Sequence, residues 1–356
     1  MISFIIAAYN EEKHIVECVE SCLNQDEVET EVVITDDGSV DGTWDVLYNN
    51  YSRNPRVVLS RFDENRGKIH AYNNSYQHAS GDYIAIMGAD DVNEPCRCAE
   101  QIKELLYYEL CIITLNKVNS DNTEIIEVNP LRCSDELRKE IDLHHMIMGP
   151  FGLPGIMFTR ELASSIFPLP TDLAHEDWWI PFKAVLRKPF IVVNKPLYRY
   201  RMHENNTSGS NLNHTYTSDQ KRRLAYRDLT FYQNVKIALL DNGIDQYLHI
   251  IDLHIIMLRY LKAAFEENQY NHVILKNFLK KLKSHAFPAN RNTEEGLLVL
   301  HKLNEYRKQF LNFDLRREVS IIDRIVPDAR DQAANYFRRL DFINKCKNRL
   351  KILFTN

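Results

Sequence analysis

No apolar run in these 356 residues reaches the roughly 20 that a membrane-crossing helix needs. The chain therefore reads as soluble, or attached to a membrane surface at most. Basic charge is not in excess: 44 Lys and Arg stand against 49 Asp and Glu, a net charge of −5, which gives no reason to expect nucleic acid as a partner. Cysteine is sparse and odd in number. The seven (Cys18, Cys22, Cys96, Cys98, Cys111, Cys133 and Cys346) offer no second pair at zinc-site spacing beside Cys96-x-Cys98. They read as buried or idle thiols in a reducing cytosol. The opening MISFIIAA has no basic stretch before its apolar one, which argues against a signal peptide.

Gly and Pro run out along the chain. Nine of the eleven Gly and ten of the twelve Pro fall before residue 210, and the 147 residues from 210 on alternate apolar and charged side chains at helical spacing. This predicts an α/β domain over 1–212 and an all-helical extension over 213–356.

Strands and helices alternate in the first part. Ser3 to Ala7 reads as a buried strand. Asn10 is placed to cap a helix whose apolar face is Ile15, Val16, Val19, Cys22 and Leu23. Glu31 to Thr35 is a second strand, ending in Asp36-Asp37-Gly38-Ser39. Trp44, Leu47, Tyr48 and Tyr51 lay the next helix on the sheet. A strand over Arg56 to Ser60, a helix over 67–79 and a strand over 82–87 follow, which argues a doubly wound, mostly parallel sheet. Three loops then meet at one sheet edge: Ala8 to Glu11, Asp36 to Asp41 and Gly88 to Asp91. Further on, Glu176 and Asp177 open a helix that continues with Trp178 and Trp179. FIVV and LYRYRM read as a pair of strands.

The stretch DYIAIMGADD concentrates the question. A strand runs into Asp90 and Asp91 at the edge where open α/β sheets bind ligands. Adjacent carboxylates repel, and a divalent cation relieves that repulsion. Taken alone, the pair reads equally as a solvated turn capping the next helix.

FIIAAYNEE, VVITDDGSVDGT, ENRGKIHAYNNSYQHASGDYIAIMGADD and HEDWW, in this order and spacing, resemble an inverting glycosyltransferase of family 2 with the GT-A fold, over roughly residues 1–205. The resemblance implies a nucleotide-sugar half at about 1–115 and an acceptor half at about 116–212. Ala7, Tyr9, Glu11, Asp37, Lys68 and Asp90 would face the nucleotide sugar. Within that set, Tyr9 would lie near the uracil, Asp37 would accept from the base N–H, Glu11 would lie near the ribose and Lys68 along the diphosphate. Asp90, Asp91 and His203 would bind Mn²⁺ or Mg²⁺. Asp177 would be the base that takes the acceptor proton, with Glu176 positioning the acceptor or acting as fallback base. Arg199 or Arg201 would reach phosphate. The family often carries an acid two residues before Asp90, where this chain has Gly88.

The expected function is transfer of a sugar from a UDP-linked donor to a hydroxyl of a surface glycan, such as capsule or lipopolysaccharide, or of a polyprenyl-linked acceptor. The expected location is the cytoplasm, with peripheral contact at the inner face of the membrane. Residues 336–356, with six Lys/Arg against one Asp, suit that contact, or else a docked surface helix with a solvated basic side. The extension could also pair subunits. Two rivals stand beside the transferase: a non-catalytic nucleotide-sugar binding module, which Gly88 makes conceivable, and a nucleotidyltransferase, which AAYNEEKH does not suit because it lacks a Gly-rich basic phosphate loop.

Overall fold

The computed structural model describes residues 1–129, 138–148, 154–173, 175–203 and 218–259, except 249, 253, 256 and 257. The expectations that rest on Cys133, Cys346 and the 336–356 tail lie outside these residues. The chain divides into two compact units, Met1–His214 and Thr215–Asn356.

In the first unit the elements run β1 (Ile2–Ala8), α1 (Ile15–Leu23), β2 (Thr30–Asp36), α2 (Thr43–Tyr51), β3 (Val57–Arg61), α3 (Lys68–His78) and β4 (Tyr83–Gly88). They continue with β5 (Val92–Asn93), α4 (Arg97–Leu105), β6 (Leu110–Val118), β7 (Ile125–Asn129), β8 (Arg138–Ile141) and α5 (Leu143–Met148). Last come β9 (Ile156–Thr159), α6 (Arg160–Ile166), α7 (Glu176–Val185) and β10 (Phe190–Arg201). Among the described residues the strands form one sheet in the order β3-β2-β1-β4-β9-β6-β10-β5, with β7 on β6 and β8 on β10.

The first four strands are mutually parallel, as the βα alternation requires, since a parallel neighbour needs a crossover helix. β9 is antiparallel to both β4 and β6, and β10 runs parallel to β6. Two reversals restore direction, so β10 ends at the same edge as β1, β2 and β4. Register makes that edge level: Ala8 pairs with Asp36, and Ala7 with Gly88.

One core lies under this sheet, built from Phe4, Ile6, Val32, Ile34, Ala85, Met87, Cys111, Ile113 and Ile191, with Ile15, Val19 and Leu47 of the helices packed onto it. Cys18, Cys22, Cys98 and Cys111 are buried free thiols, and Cys96 is an exposed one. Arg97 is fully buried without a carboxylate. Its guanidinium lies 5.6 Å from the Phe4 ring and 5.2 Å from that of Tyr198, and it donates to Gln101, Asn93 and the Ile156 carbonyl.

Several local expectations are corrected. Asn10 does not cap α1. It sits at φ +58, its side-chain oxygen accepts from Val40 N at 3.0 Å, and the helix starts after His14. Val16 and Tyr48 face solvent, because α1 and α2 each cover the sheet with a narrower stripe than their apolar content suggested. The two strands expected over FIVV and LYRYRM are one, β10, which absorbs Pro196 in register shifts between Val193 and Tyr198. The second unit's described part is helical, with α8 at Ser218–Asp241. There Tyr232 stacks on His254 with centroids 4.4 Å apart, and Lys236 pairs with Asp252 at 2.6 Å. Among the described residues no helix is long and apolar enough to cross a membrane.

Candidate active site

The acid-rich loop after β2 spends most of its carboxylates on its own scaffold. Asp36 is buried and pairs with Arg61 at 3.2 Å. Asp41 accepts from Thr43 N at 3.0 Å, and Glu12 accepts from Gly42 N at 3.1 Å. Asp37, expected to receive a base N–H, is 2% exposed and accepts from Arg66 N at 2.8 Å and from Gly67 N at 2.9 Å. It thereby pins the loop that leads into α3. The close approach depends on Gly38, at φ +69, where an added Cβ would lie 2.4 Å from Glu64 C and 2.6 Å from Asn65 N. Gly38→Ala is expected to cost about 1–3 kcal/mol in urea unfolding, as both strain and backbone collision apply. Gly67→Ala, at φ +95 with nothing within 4 Å of its Cβ, should cost about 1 kcal/mol.

At the end of β1, Ala7 is half-buried, and Tyr9 is 42% exposed, as a stacking surface must be. Glu11 is half-buried, and its backbone N donates to Thr43 Oγ1 at 2.7 Å. Burial, with the Asp90 charge beside it, raises its carboxyl to about 7. Glu11 therefore faces Asp90 and His203.

The two adjacent aspartates point to different places. Asp90 Oδ2 lies 2.9 Å from His203 Nε2, and this hydrogen bond raises the imidazole pKa against the effect of burial. Asp91 turns inward and is 2% exposed. Tyr198 OH donates to its Oδ2 at 2.6 Å and Arg201 N to its Oδ1 at 2.8 Å. Sequence spacing made the two equivalent, and the turn after β4 separates them. Gly88 belongs to that turn: a Cβ there would meet Asp91 Oδ2 at 2.5 Å and Asp90 Oδ1 at 3.1 Å.

Both arginines of β10 are engaged within the protein. Arg201 is buried and donates to the Asp90 carbonyl at 2.7 Å and to Glu17 at 2.6 Å, and Arg199 pairs with Glu94 at 2.6 Å. His14, at the start of α1, went unnoticed in the sequence. Its ring centroid is 5.2 Å from that of His203, tilted by 34°. Glu11, His14 and His203 each offer a ligand atom, and these atoms lie within 4.8 Å of one another.

On the other side, Lys68 opens α3 and reaches Glu176 at the start of α7, with Nζ 3.0 Å from Oε1 and 2.7 Å from Oε2. Lys68 was expected along a diphosphate, and here its charge is shared with that carboxylate. Asp177 is half-buried. Burial first, then the Glu176 charge, raises its carboxyl above the usual range, while Lys68 and His175 pull the other way. Trp179 is core, and Trp178 stacks on His175 with centroids 4.7 Å apart.

Tyr72 of α3 joins the two sides. Its buried hydroxyl donates to the Met87 carbonyl at 3.3 Å. Its phenol is held well above its ordinary range by burial and then by the fields of Glu176, Asp90, Asp91 and Asp177. The charges at the end of β4 and the start of α7 are thus both felt by one phenol. Nothing in the sequence spacing marks Tyr72, which reads as a core aromatic.

Residues 3–158 match the family model described as Glycosyl transferase family 2. The chain is 32% identical over 215 residues to a chondroitin synthase of Escherichia coli, covering 58% of this chain and 30% of that one. It is 28% identical over 345 residues to a hyaluronan synthase of Pasteurella multocida, covering 90% of this chain and 34% of that one. It spans about a third of the length of these curated relatives. Among solved structures, residues 1–349 of TarS from S. aureus, in complex with UDP-GlcNAc, share the fold with a TM-score of 0.55 at 18% identity, covering 86% of this chain and 87% of that one.

Proposed function

This chain is a family 2 glycosyltransferase with the GT-A fold, and from that premise we propose that it moves a sugar, with inversion, from a UDP-linked donor to a hydroxyl of a growing surface glycan. The observation that carries the reading is that α3 ties the two acid pairs together: the Tyr72 hydroxyl donates to the Met87 carbonyl near the end of β4 at 3.3 Å, and Lys68 pairs with Glu176 at the start of α7 at 2.7 Å. An inverting transfer needs both in one cleft: charge that can hold a metal near the leaving group, and a base near the incoming hydroxyl. The UDP-GlcNAc bound to TarS supports UDP as the nucleotide. The synthase relatives support a polysaccharide as the acceptor.

The donor's base stacks on exposed Tyr9 beside the loop that Asp37 pins. Asp90 and His203, a hard oxygen donor and an imidazole, fit a divalent cation, Mn²⁺ or Mg²⁺, whose charge would offset that developing on the departing diphosphate. Asp91 supports this arrangement from behind, through Tyr198 and the Arg201 backbone. Asp177 takes the proton from the attacking hydroxyl. Glu176, neutralised by Lys68, orients the acceptor without adding a second free negative charge next to the base.

We assign the catalytic work to residues 1–212 and a packing or pairing role to 213–356. The test is a thermal-shift panel of UDP-, GDP- and dTDP-sugars with Mn²⁺. One UDP-sugar should stand out, raising the midpoint by several degrees at about 100 times its Kd, where binding contributes about 2.7 kcal/mol. A flat response across the UDP series would remove the proposal. Binding without turnover on any glycan acceptor would turn it into a non-catalytic module.

A further inference from the structure

We propose that Glu11 and His14 join Asp90 and His203 in a protein-built site for a first-row transition ion, one that fills without the nucleotide. The inference rests on the reading that Asp90 and His203 hold the catalytic cation. It adds two ligands from the β1–α1 loop and a choice of metal.

The donors come from three segments that meet only in the folded unit. Ligand atoms of Glu11, His14 and His203 lie within 4.8 Å of one another, and Asp90 Oδ2 lies 2.9 Å from His203 Nε2. Donors bound about 2.0–2.2 Å from one tetrahedral ion lie roughly 3.4 Å apart, so side-chain rotations of up to about an ångström would bring Glu11, His14 and His203 onto a shared ion. The backbone beneath them is fixed. Asn10 N donates to Ser39 Oγ at 2.9 Å, Glu11 N donates to Thr43 Oγ1 at 2.7 Å, and the Asp90 carbonyl accepts from the buried Arg201 at 2.7 Å. The two imidazoles stand side by side, with ring centroids 5.2 Å apart.

Donor type decides the ion. Mg²⁺ prefers an all-oxygen octahedron and keeps its water, whereas imidazoles favour Mn²⁺, Co²⁺ or Zn²⁺ increasingly along the series. Two carboxylates and two imidazoles therefore discriminate against Mg²⁺. The same set accounts for Gly88. Position 88 is closed to a side chain by Asp91 Oδ2, 2.5 Å from where a Cβ would stand. Ligands that cannot come from that side are supplied from the opposite loop. Glu11 then acts on the ion rather than on a ribose.

Calorimetric titration of the full chain with MnCl₂, ZnCl₂ and MgCl₂, with no nucleotide present, tests this. One equivalent of Mn²⁺ and of Zn²⁺ should bind, each at least about tenfold tighter than Mg²⁺. His14→Ala and Glu11→Gln should each weaken Mn²⁺ by at least about tenfold, the lower end of what even outer-shell partners cost. Unfolding midpoints in EDTA identify a variant that fails to fold, and His14→Gln then replaces His14→Ala. If both His14 variants keep wild-type Mn²⁺ affinity while Asp90→Asn loses it, the inference falls and the cation stays with Asp90 and His203. Mn²⁺ binding that appears only with UDP also overturns it. Neither result touches the donor panel, whose failure alone would remove the transferase reading.

Discussion

Asp177→Asn should lower turnover about 10²–10⁴-fold, the usual worth of a positioned acid or base, while leaving the affinity for the UDP-sugar within about twofold. Asn keeps the shape of the helix start and removes only the proton acceptor. Asp177 is preferred over Glu176 because Lys68 already neutralises Glu176, with contacts of 3.0 and 2.7 Å. Asp177 has instead a half-buried carboxylate whose affinity for protons is raised by burial and by Glu176. A raised pKa makes a stronger base, and the base is lost as pH falls through that raised value. The acid limb of kcat should therefore lie above the ordinary Asp range of about 3.9. Glu176→Gln removes the second-largest cause of the shift, so that limb should move to lower pH. An acid limb that stays in place in Glu176→Gln, or full activity in Asp177→Asn, would exclude Asp177 as the base.

The adjacent aspartates should separate just as sharply. Asp91→Ala leaves the Tyr198 hydroxyl and the Arg201 N–H buried without their acceptor. At roughly 1–3 kcal/mol for each orphaned donor, the loss is about 2–6 kcal/mol. For a unit of this size, at about 2–4 °C per kcal/mol, that lowers the thermal midpoint by roughly 4–24 °C. Asp90→Ala removes a carboxylate whose side chain is 18% exposed, so its stability should stay within about 1 kcal/mol while turnover and Mn²⁺ binding collapse. Urea unfolding of both variants beside a UDP-sugar assay decides this. An Asp91→Ala protein of wild-type stability would return Asp91 to the metal.

The sheet was legible because buried strands and amphipathic helices alternate with little ambiguity through residue 105. The three loop ends followed, since parallel strands must deliver their C-termini to one edge. Beyond that point the signal weakened for physical reasons. The two-residue β5 is too short to show a period, and β9 runs antiparallel between β4 and β6, which no local pattern announces. Asp90 and Asp91 are chemically alike, and only partners on and just after β10, more than 100 residues away, set one beside His203 and make the other a buried acceptor. His14 looked like one more polar residue on a helix start until the end of β10 was brought beside it. Roles for Tyr9, Asp37 and the Glu176–Asp177 pair came from family resemblance rather than from spacing. Asp37 shows what that route does not announce, since its carboxylate also holds the loop that leads into α3.

The way β10 closes the site also has a bearing on synthesis. Arg201 reaches back 184 residues to Glu17, His203 reaches 113 to Asp90, and Glu176 reaches 108 to Lys68. A ribosome releases Tyr9, Asp37 and Asp90 long before the base or the second imidazole emerges. The half-made chain thus presents the donor-facing loops with nothing to activate an acceptor. With Asp177 as the proposed base, the means to activate an acceptor is made late, with α7 and the residues that follow β10.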